Sequence, residues 1–245
     1  MRQLALLALA GSLMPGPSAL AADCPALLGE ALRLVLVTAP AMDRPVARLQ
    51  LFTRAAPQAT WERASEPMRA VVGAAGLAWG YTFHAYRREG EAEKVEGDKR
   101  TPAGVFRLGP SFGFARSDLP GYILVEAGET VCVEDASSPF YNRIARRSEV
   151  GLAANLEDMR RSRLFRRGLF VDYPTDRAGR RGSCIFVHIW QGPAKGTAGC
   201  IGLPEDRVAS LQQFARPGAV VAVLPEPALD RFAGCLPDAS PRAPR

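Results

Sequence analysis

The sequence has 245 residues, of which 47% are hydrophobic and 23% are charged, as in soluble globular proteins. These fractions exclude a disordered chain, a collagen-like fibre and a coiled coil. The 23 glycines and 20 prolines favour many turns and short strands over a helical bundle. A formal net charge of +6 favours anionic partners, but no RNA- or DNA-binding motif accompanies it, so we expect no nucleic-acid partner.

Residues 1–22 have the pattern of a secretory signal peptide. Arg2 supplies the basic start, residues 4–10 form a short apolar run, and Ala19-Leu20-Ala21 gives the small residues that precede a cleavage site. The run is too short to span a bilayer, and no later segment is long and apolar enough to do so. We therefore expect an exported protein, in the periplasm or associated with the cell wall, without an integral membrane span.

The rest of the chain is dominated by short apolar segments with turn residues between them. The predicted strands are 31–38, 46–53, 67–72, 121–126, 169–173, 183–190 and 220–224. Helices are predicted over 148–161 and 205–214, and Pro204 with Glu205 suits the start of the second one. This pattern predicts a mostly-β sandwich or barrel with a few short helices. We expect one domain over 30–226 and a Pro-rich tail over 227–245.

An exported chain meets oxidising conditions, so its cysteines are candidates for disulfides. The five cysteines are Cys24, Cys132, Cys184, Cys200 and Cys235. At least one must be unpaired within the chain, and four others allow two bridges with three possible connectivities. Cys24 and Cys235 bracket the mature chain, so their position suggests a bridge that joins the termini.

Two histidines are present, and only His188 has a setting that suggests chemistry. Alternate residues of a strand share one face. The predicted core face carries Ile185, Val187 and Ile189. The other face carries Cys184, Phe186, His188 and Trp190. His188 therefore leaves the core face as a candidate base, and the alternative is a half-buried histidine that packs beside Trp190. His84 lies among aromatic residues and is expected to be structural or exposed.

Cys200 lies in a glycine-rich segment, 196–203, just before the predicted helix. Backbone amides at a helix start lower the pKa of a nearby thiol, and a neighbouring histidine lowers it further and can act as base. The amides of Gly199 and Cys200 are candidate oxyanion donors. The alternative is a structural or disulfide-bonded cysteine. A zinc site from Cys184, His188 and Cys200 lacks a fourth ligand and metal-ligand spacing, so no metal is expected.

Three more segments carry weaker signals. Residues 97–106 are predicted to form a constrained loop that leads into a strand. Residues 137–143 are predicted to form an exposed loop that contains Tyr141 and Asn142. Arginines crowd residues 160–181, where they form either a solvated basic face or a patch that attracts carboxylates.

Two of these segments, taken together and in order, resemble a known family. Gly97-Asp98 with Thr101-Pro102-x-Gly104-x-Phe106, then a strand histidine, then Thr197-x-Gly199-Cys200, is similar to the L,D-transpeptidase (YkuD-like) catalytic domain. The resemblance covers roughly residues 65–225 and implies a mostly-β fold with Cys200 as nucleophile and His188 as base. It also implies peptidoglycan stem peptides as substrates and no cofactor.

In that family the cysteine attacks the carbonyl of the third residue of the stem, a diamino acid, and expels the terminal D-alanine. An amine or water then resolves the thioester. This sequence departs from the family pattern, because Ala198 stands where a second histidine is usual and Gly202 stands where Arg or Asn is common. Thr197, Tyr141 and Asn142 are the expected substrate contacts. Three functions follow: a transpeptidase, a hydrolase with the same site, or a non-catalytic wall-binding protein.

Overall fold

The structure is a computed structural model that describes residues 24–151 and 155–237. The predicted signal peptide and residues 238–245 of the predicted tail lie outside the described residues. The strands are β1 (Arg33–Ala39), β2 (Val46–Thr53), β3 (Glu62–Arg63), β4 (Met68–Val71), β5 (Leu77–Trp79), β6 (Thr101–Gly113), β7 (Ile123–Leu124), β8 (Thr130–Val133), β9 (Ile144–Arg146), β10 (Leu156–Asp158), β11 (Arg167–Asp172), β12 (Phe186–Ile189), β13 (Ile201–Leu203) and β14 (Val220–Pro225). The helices are α1 (Ala26–Glu30), α2 (Arg147–Val150) and α3 (Glu205–Phe214), with 3-10 helices at Tyr81–Tyr86, Arg163–Arg166 and Glu226–Phe232. Within the described ranges, no helix has the length and apolar character that a membrane crossing requires.

Eight of the described strands close into a barrel. Their hydrogen-bonded order is β1, β14, β6, β11, β12, β13, β4 and β2, and β2 pairs back with β1. The β1–β14 and β12–β13 pairs are parallel, and the other neighbours are antiparallel. Ring closure lets each of these strands pair on both sides. The barrel with few short helices confirms the predicted fold class.

The alternation predicted along β12 is confirmed by two separate apolar clusters. The main core takes Ile185, Val187 and Ile189. The second cluster takes Cys184 and Phe186 from the opposite face of the same strand, together with Phe112, Val125, Cys132, Met159 and Phe165. A small sheet with the order β10, β8, β9 supplies part of this second cluster. The small sheet therefore packs over the face of β12 that carries His188.

The predicted helix over 148–161 is wrong. Only α2, Arg147–Val150, is helical there, and β10, Leu156–Asp158, pairs antiparallel with β8. Met159 follows β10 and is fully buried in the second cluster. Pairing with β8 and burial of Met159 override the local helical preference of this segment, because tertiary packing outweighs propensity.

Part of the predicted tail belongs to the folded domain. Ala228 and Phe232, in the last 3-10 helix, are buried in the main core. Cys235 forms a disulfide with Cys24, as its position suggested. The ring of Phe232 stacks on that of Tyr86 with centroids 4.6 Å apart. The domain therefore extends beyond residue 226, to the end of the described chain.

Candidate active site

The parallel pair β12–β13 brings Cys200 and His188 to one face of the sheet. His188 lies opposite Gly202, and Val187 lies opposite Ile201. Cys200 precedes β13 and lies beside Phe186, whose amide donates a hydrogen bond to the Cys200 Sγ at 3.4 Å. Since alternate residues share a face, Phe186, His188 and Cys200 point the same way, into the second cluster.

The thiol of Cys200 is unpaired and largely enclosed. Burial raises its pKa, and the carboxylates of Glu157 and Glu134 raise it further against the opposing Phe186 amide. The sequence-based expectation of a lowered pKa is therefore wrong. The physical reason is the burial of the thiol, and α3 begins only at Glu205, after β13, so Cys200 does not lie at the start of the helix.

The imidazole of His188 is held in one tautomer. The side chain is 5% exposed, and its Nδ1 lies 2.8 Å from the carbonyl oxygen of Ile189. A carbonyl only accepts, so Nδ1 carries the proton and Nε2 is left as the basic nitrogen. The ring of Phe165 packs edge-on with centroids 5.2 Å apart. Burial lowers the pKa of His188 to about 4, so the ring is a neutral base at neutral pH.

Two threonine hydroxyls fix the backbone at the nucleophile. Thr197 Oγ1 donates to the carbonyl oxygen of Cys200 at 2.6 Å, and Thr101 Oγ1 donates to it at 3.1 Å. The amide of Gly199 donates to Thr197 Oγ1 at 3.1 Å, so this predicted oxyanion donor already has a partner. The amide of Cys200 has no acceptor among the described residues, and it is the better placed of the two candidates.

Asp98 organises the loop before β6. Its carboxylate accepts from the amides of Arg100 (2.8 Å) and Val95 (3.0 Å) and from Lys94 Nζ (2.7 Å). Lys94 is 3% exposed, so its charge is neutralised inside the protein. Gly104 follows at φ +145°, and a Cβ there would lie 2.5 Å from the ring of Phe83. The segment predicted as a constrained loop therefore fixes the start of β6, including Thr101.

A cavity of 580 Å³ opens at the two candidate catalytic side chains. Its lining includes Cys200, His188, Thr197, Ala198 and Gly199. Its charged lining residues are Lys94, Glu96, Glu134, Glu157, Arg180 and Lys195. The three glutamates are not predicted from the sequence, because each is an isolated acid on a short or irregular segment. The alternation of Cys132 with Glu134 was the available signal.

A larger cavity of 930 Å³ lies elsewhere, beside the Cys24–Cys235 disulfide. Neither histidine nor the unpaired cysteine lines it. The chemistry therefore places the candidate site in the smaller cavity.

Tyr141 and Asn142 are not brought to the Cys200 cavity. Tyr141 is buried, and its hydroxyl donates to Glu96 Oε2 at 2.7 Å. Asn142 accepts from the amide of Cys184 at 2.9 Å and donates to the carbonyl of Tyr173 at 2.9 Å. Both side chains support the walls of the site rather than line it. Of the predicted substrate contacts, Thr197 alone lines the cavity.

The two positions that depart from the family pattern, Ala198 and Gly202, differ in their surroundings. Ala198 is exposed at the cavity. Gly202 is enclosed, because a Cβ there would lie 2.7 Å from Val71 Cγ2 and 3.0 Å from Trp190 Cβ. A long side chain at position 202 is therefore incompatible with the packing of β13 against β4 and Trp190.

The second disulfide joins Cys132 of β8 to Cys184, directly before β12. Cys200 is thus the cysteine left unpaired, in agreement with the odd count. In the two described ranges, no three His, Cys, Asp or Glu side chains converge into a group that could hold a metal.

The family of the chain follows from its match to a known domain. Residues 58–223 match the model of YkuD, the L,D-transpeptidase catalytic domain. The chain belongs to this family. A solved structure from Bdellovibrio bacteriovorus, Bd1075, matches with a TM-score of 0.40 and 14% sequence identity over 79% of this chain. The match spans 48% of the Bd1075 chain. The search of curated proteins gave no match.

The matched range, residues 58–223, contains both motif segments and both candidate catalytic residues, Cys200 and His188. The unpaired thiol, the oriented imidazole and the anchored turn line one cavity. A thiol and a neutral imidazole are the groups that acyl transfer through a thioester uses.

Proposed function

We propose that this L,D-transpeptidase family member is an exported cysteine acyltransferase that acts on peptidoglycan stem peptides. One observation supports the proposal most directly: the unpaired thiol of Cys200 and the buried imidazole of His188 line the same cavity. A nucleophile and a base in one enclosed site are what thioester chemistry requires. The family match supplies the substrate class.

In the first half-reaction, His188 Nε2 takes the thiol proton while the Cys200 sulfur attacks the carbonyl carbon of the third stem residue. A C–S bond forms, and the carbonyl oxygen becomes an oxyanion that the Cys200 amide faces. Collapse breaks the C–N bond to the terminal D-alanine. The leaving amine takes the proton from His188, which leaves a neutral base and a thioester.

In the second half-reaction, an amine of a neighbouring stem attacks the thioester. His188 Nε2 accepts the proton of that amine, a new amide bond forms, and the thiolate leaves. The proton on His188 then returns to the sulfur. Water in place of the amine would give a shortened stem and make the same site a hydrolase.

The proposed pair starts as neutral thiol and neutral imidazole. Burial raises the pKa of Cys200 and lowers that of His188, and both directions disfavour separated charges. Proton transfer therefore accompanies attack on the carbonyl, instead of preceding it. The Ile189 carbonyl accepts from Nδ1–H and stabilises the imidazolium as it forms.

The test is mass spectrometry of tetrapeptide muropeptides incubated with the mature protein. A cross-linked dimer that lacks one D-alanine establishes transpeptidation, and a shortened monomer alone establishes hydrolysis. Substrate left unchanged by the folded wild-type protein rejects the proposal in favour of a binding role.

Two variants assign the roles. Cys200→Ala should abolish formation of the acyl-enzyme, and His188→Gln should slow it by about 10²–10⁴-fold. The matched control is His84→Gln, since His84 is exposed, hydrogen-bonds the carbonyl of Tyr81 and does not line the Cys200 cavity. Retained turnover in a folded Cys200→Ala protein would contradict the assignment of the nucleophile.

A further inference from the structure

One wall of the Cys200 cavity carries carboxylates that the proposed chemistry does not use. Glu157 lies in β10 opposite Cys132 of β8, and Glu134 follows Cys132 by two residues. Residues paired across strands, and residues two apart along a strand, share a face. Glu134, Glu157 and Cys132 therefore belong to one face of the small sheet, which is the face turned to the cavity.

The Cys132–Cys184 disulfide sets where this face stands relative to the nucleophile. Cys132 is bonded to Cys184, and the Cys184 carbonyl oxygen lies 3.6 Å from the Cys200 Sγ. The face of the small sheet that carries Glu134 and Glu157 is thus covalently connected, through Cys132, to Cys184, which contacts the thiol. This linkage holds Glu134 and Glu157 close enough for their charges to act on Cys200.

Neither carboxylate has a counter-ion among the described residues. Across the residues that the structure describes, no side chain donates a hydrogen bond or forms an ion pair with Glu134 or Glu157. The third acid, Glu96, accepts from the hydroxyls of Tyr141 and Ser183. Burial raises the pKa of Glu134 and Glu157, and each is raised further by a neighbouring carboxylate.

The basic groups of the same cavity do not compensate these acids. Lys94 is engaged by Asp98 at 2.7 Å and by the carbonyl of Val95 at 2.8 Å. Arg180 and Lys195 are exposed. A second observation points independently to a ligand: His188 is 5% exposed and lines the cavity, and its Nε2 has no partner in the described chain.

We propose that Glu134 and Glu157 form a subsite for the primary ammonium of a diamino acid in the peptide presented to Cys200. The inference rests on the proposed function, and it deepens that function by naming the group that is recognised. An ammonium donates three hydrogen bonds, which matches two carboxylates that lack donors. Because both acids line the same cavity as Cys200, on the face that is bonded through Cys132 to Cys184, the ammonium belongs to the residue whose carbonyl is attacked, the third residue of the stem.

The experiment uses the Cys200→Ala protein, which separates binding from chemistry. Two tetrapeptides with acetylated amino termini are titrated by calorimetry, one with a diamino acid as third residue and one with norleucine there. The side-chain ammonium is then the only cation of the ligand. We expect the diamino peptide to bind about tenfold more tightly, since a charge-assisted hydrogen bond has about this strength.

The preference should be lost when Glu157→Gln or Glu134→Gln is added to Cys200→Ala. It should persist with Glu66→Gln, an exposed acid outside the cavity. Thermal unfolding of each variant checks the fold. Equal binding of both peptides, or a preference that survives the Glu134→Gln/Glu157→Gln double change, overturns the subsite.

Turnover of the same two peptides by the wild-type protein, measured by mass spectrometry, separates the subsite proposal from the acyltransferase proposal. Turnover without a binding preference rejects the subsite and leaves the acyltransferase proposal in place. A binding preference without turnover supports the subsite and rejects the acyltransferase proposal. Absence of binding by either peptide rejects both.

Discussion

Thr101 Oγ1 donates a hydrogen bond to the carbonyl oxygen of Cys200 at 3.1 Å, across a sequence separation of 99 residues. The same hydroxyl oxygen accepts from the amide of Gly73 at 2.8 Å. Thr101 is fully buried, so this hydroxyl is held on both sides. The two motif segments of the sequence therefore meet at one hydrogen bond, and the first segment acts by positioning the second.

Thr101→Val should slow acylation while the thiol remains present. Valine keeps the shape but leaves the Gly73 amide without its acceptor and Cys200 with one hydroxyl donor, Thr197. We expect a loss of about 1–3 kcal/mol in the free energy of unfolding and about tenfold in the acylation rate. Denaturant titration and single-turnover mass spectrometry measure the two effects. Thr60→Val, at an exposed position, is the control, and an unchanged rate in Thr101→Val would rule out a positioning role.

The elements that the sequence predicts well are those whose local pattern agrees with their packing. Strand β2 and helix α3 begin and end where the sequence places them. The alternation along β12 correctly separates the main core from the face that carries His188. Cys200 and His188 were identifiable because the chain has only two histidines and an odd number of cysteines, and these two residues lie 12 positions apart.

The parts that the sequence does not predict depend on contacts between distant segments. Glu134 and Glu157 reach the cavity through β8–β10 pairing and the Cys132–Cys184 bridge, and neither contact has a local signature. The same pairing makes residues 156–158 of the predicted helix over 148–161 into strand β10. Tyr141 and Asn142 looked like exposed substrate contacts, but their side chains are taken by internal partners.

The carboxyl group of Glu157 should make stability depend on pH in a defined direction. Burial, with Glu134 alongside, raises its pKa from 4.5 to about 7. Between these values the folded state holds a proton that the unfolded state has lost, so stability falls as pH rises through this window. Above pH 7 the ionised carboxylate costs the fold about 2 kcal/mol, after a discount for partial exposure.

Glu157→Gln should therefore be more stable than wild type at pH 8 and show little difference at pH 4.5. Urea unfolding at the two pH values measures the change. Glu66→Gln should show no such difference, because Glu66 is exposed. A wild-type protein whose stability relative to Glu157→Gln rises between pH 4.5 and 8 would contradict the raised pKa.

An ion pair secures the last 3-10 helix on the barrel. Arg231 donates to both carboxylate oxygens of Glu91, at 2.7 and 2.6 Å, and to the carbonyl of Tyr86 at 2.6 Å. The side chains are 10% and 19% exposed. The Arg231 hydrogen bonds lower the pKa of Glu91 to about 2, so this stabilisation is present above pH 4.5 and is lost as pH falls towards 2.

Arg231→Ala should lower the free energy of unfolding by about 3 kcal/mol at pH 7, because it leaves a largely enclosed carboxylate without its cationic partner, although the Trp79 indole and the Arg88 amide still donate to it. The same helix carries a natural control. Asp230 pairs with Arg88 at 3.4 Å, but these side chains are 65% and 62% exposed. Asp230→Asn should change stability by less than about 0.5 kcal/mol. Equal effects of the two substitutions would show that the buried pair has no special role.

Removal of either disulfide should lower stability, but only removal of Cys132–Cys184 should also lower activity. Each closes a loop, with a sequence separation of 211 for Cys24–Cys235 and 52 for Cys132–Cys184, so the entropy of the unfolded chain makes their loss cost about 5 and about 4 kcal/mol. Only Cys132–Cys184 joins the carboxylate face to the residue beside the thiol. Its removal should also release Glu134 and Glu157 from their position.

Double alanine variants at each bridge test this difference at a temperature where both remain folded by circular dichroism. We expect Cys132→Ala/Cys184→Ala to lose about tenfold in acylation by the diamino peptide. Cys24→Ala/Cys235→Ala should acylate at the wild-type rate, because that bridge lies at the other cavity. If both double variants acylate equally fast, the Cys132–Cys184 bridge serves stability alone, and the carboxylate face is positioned by β8–β10 packing without it.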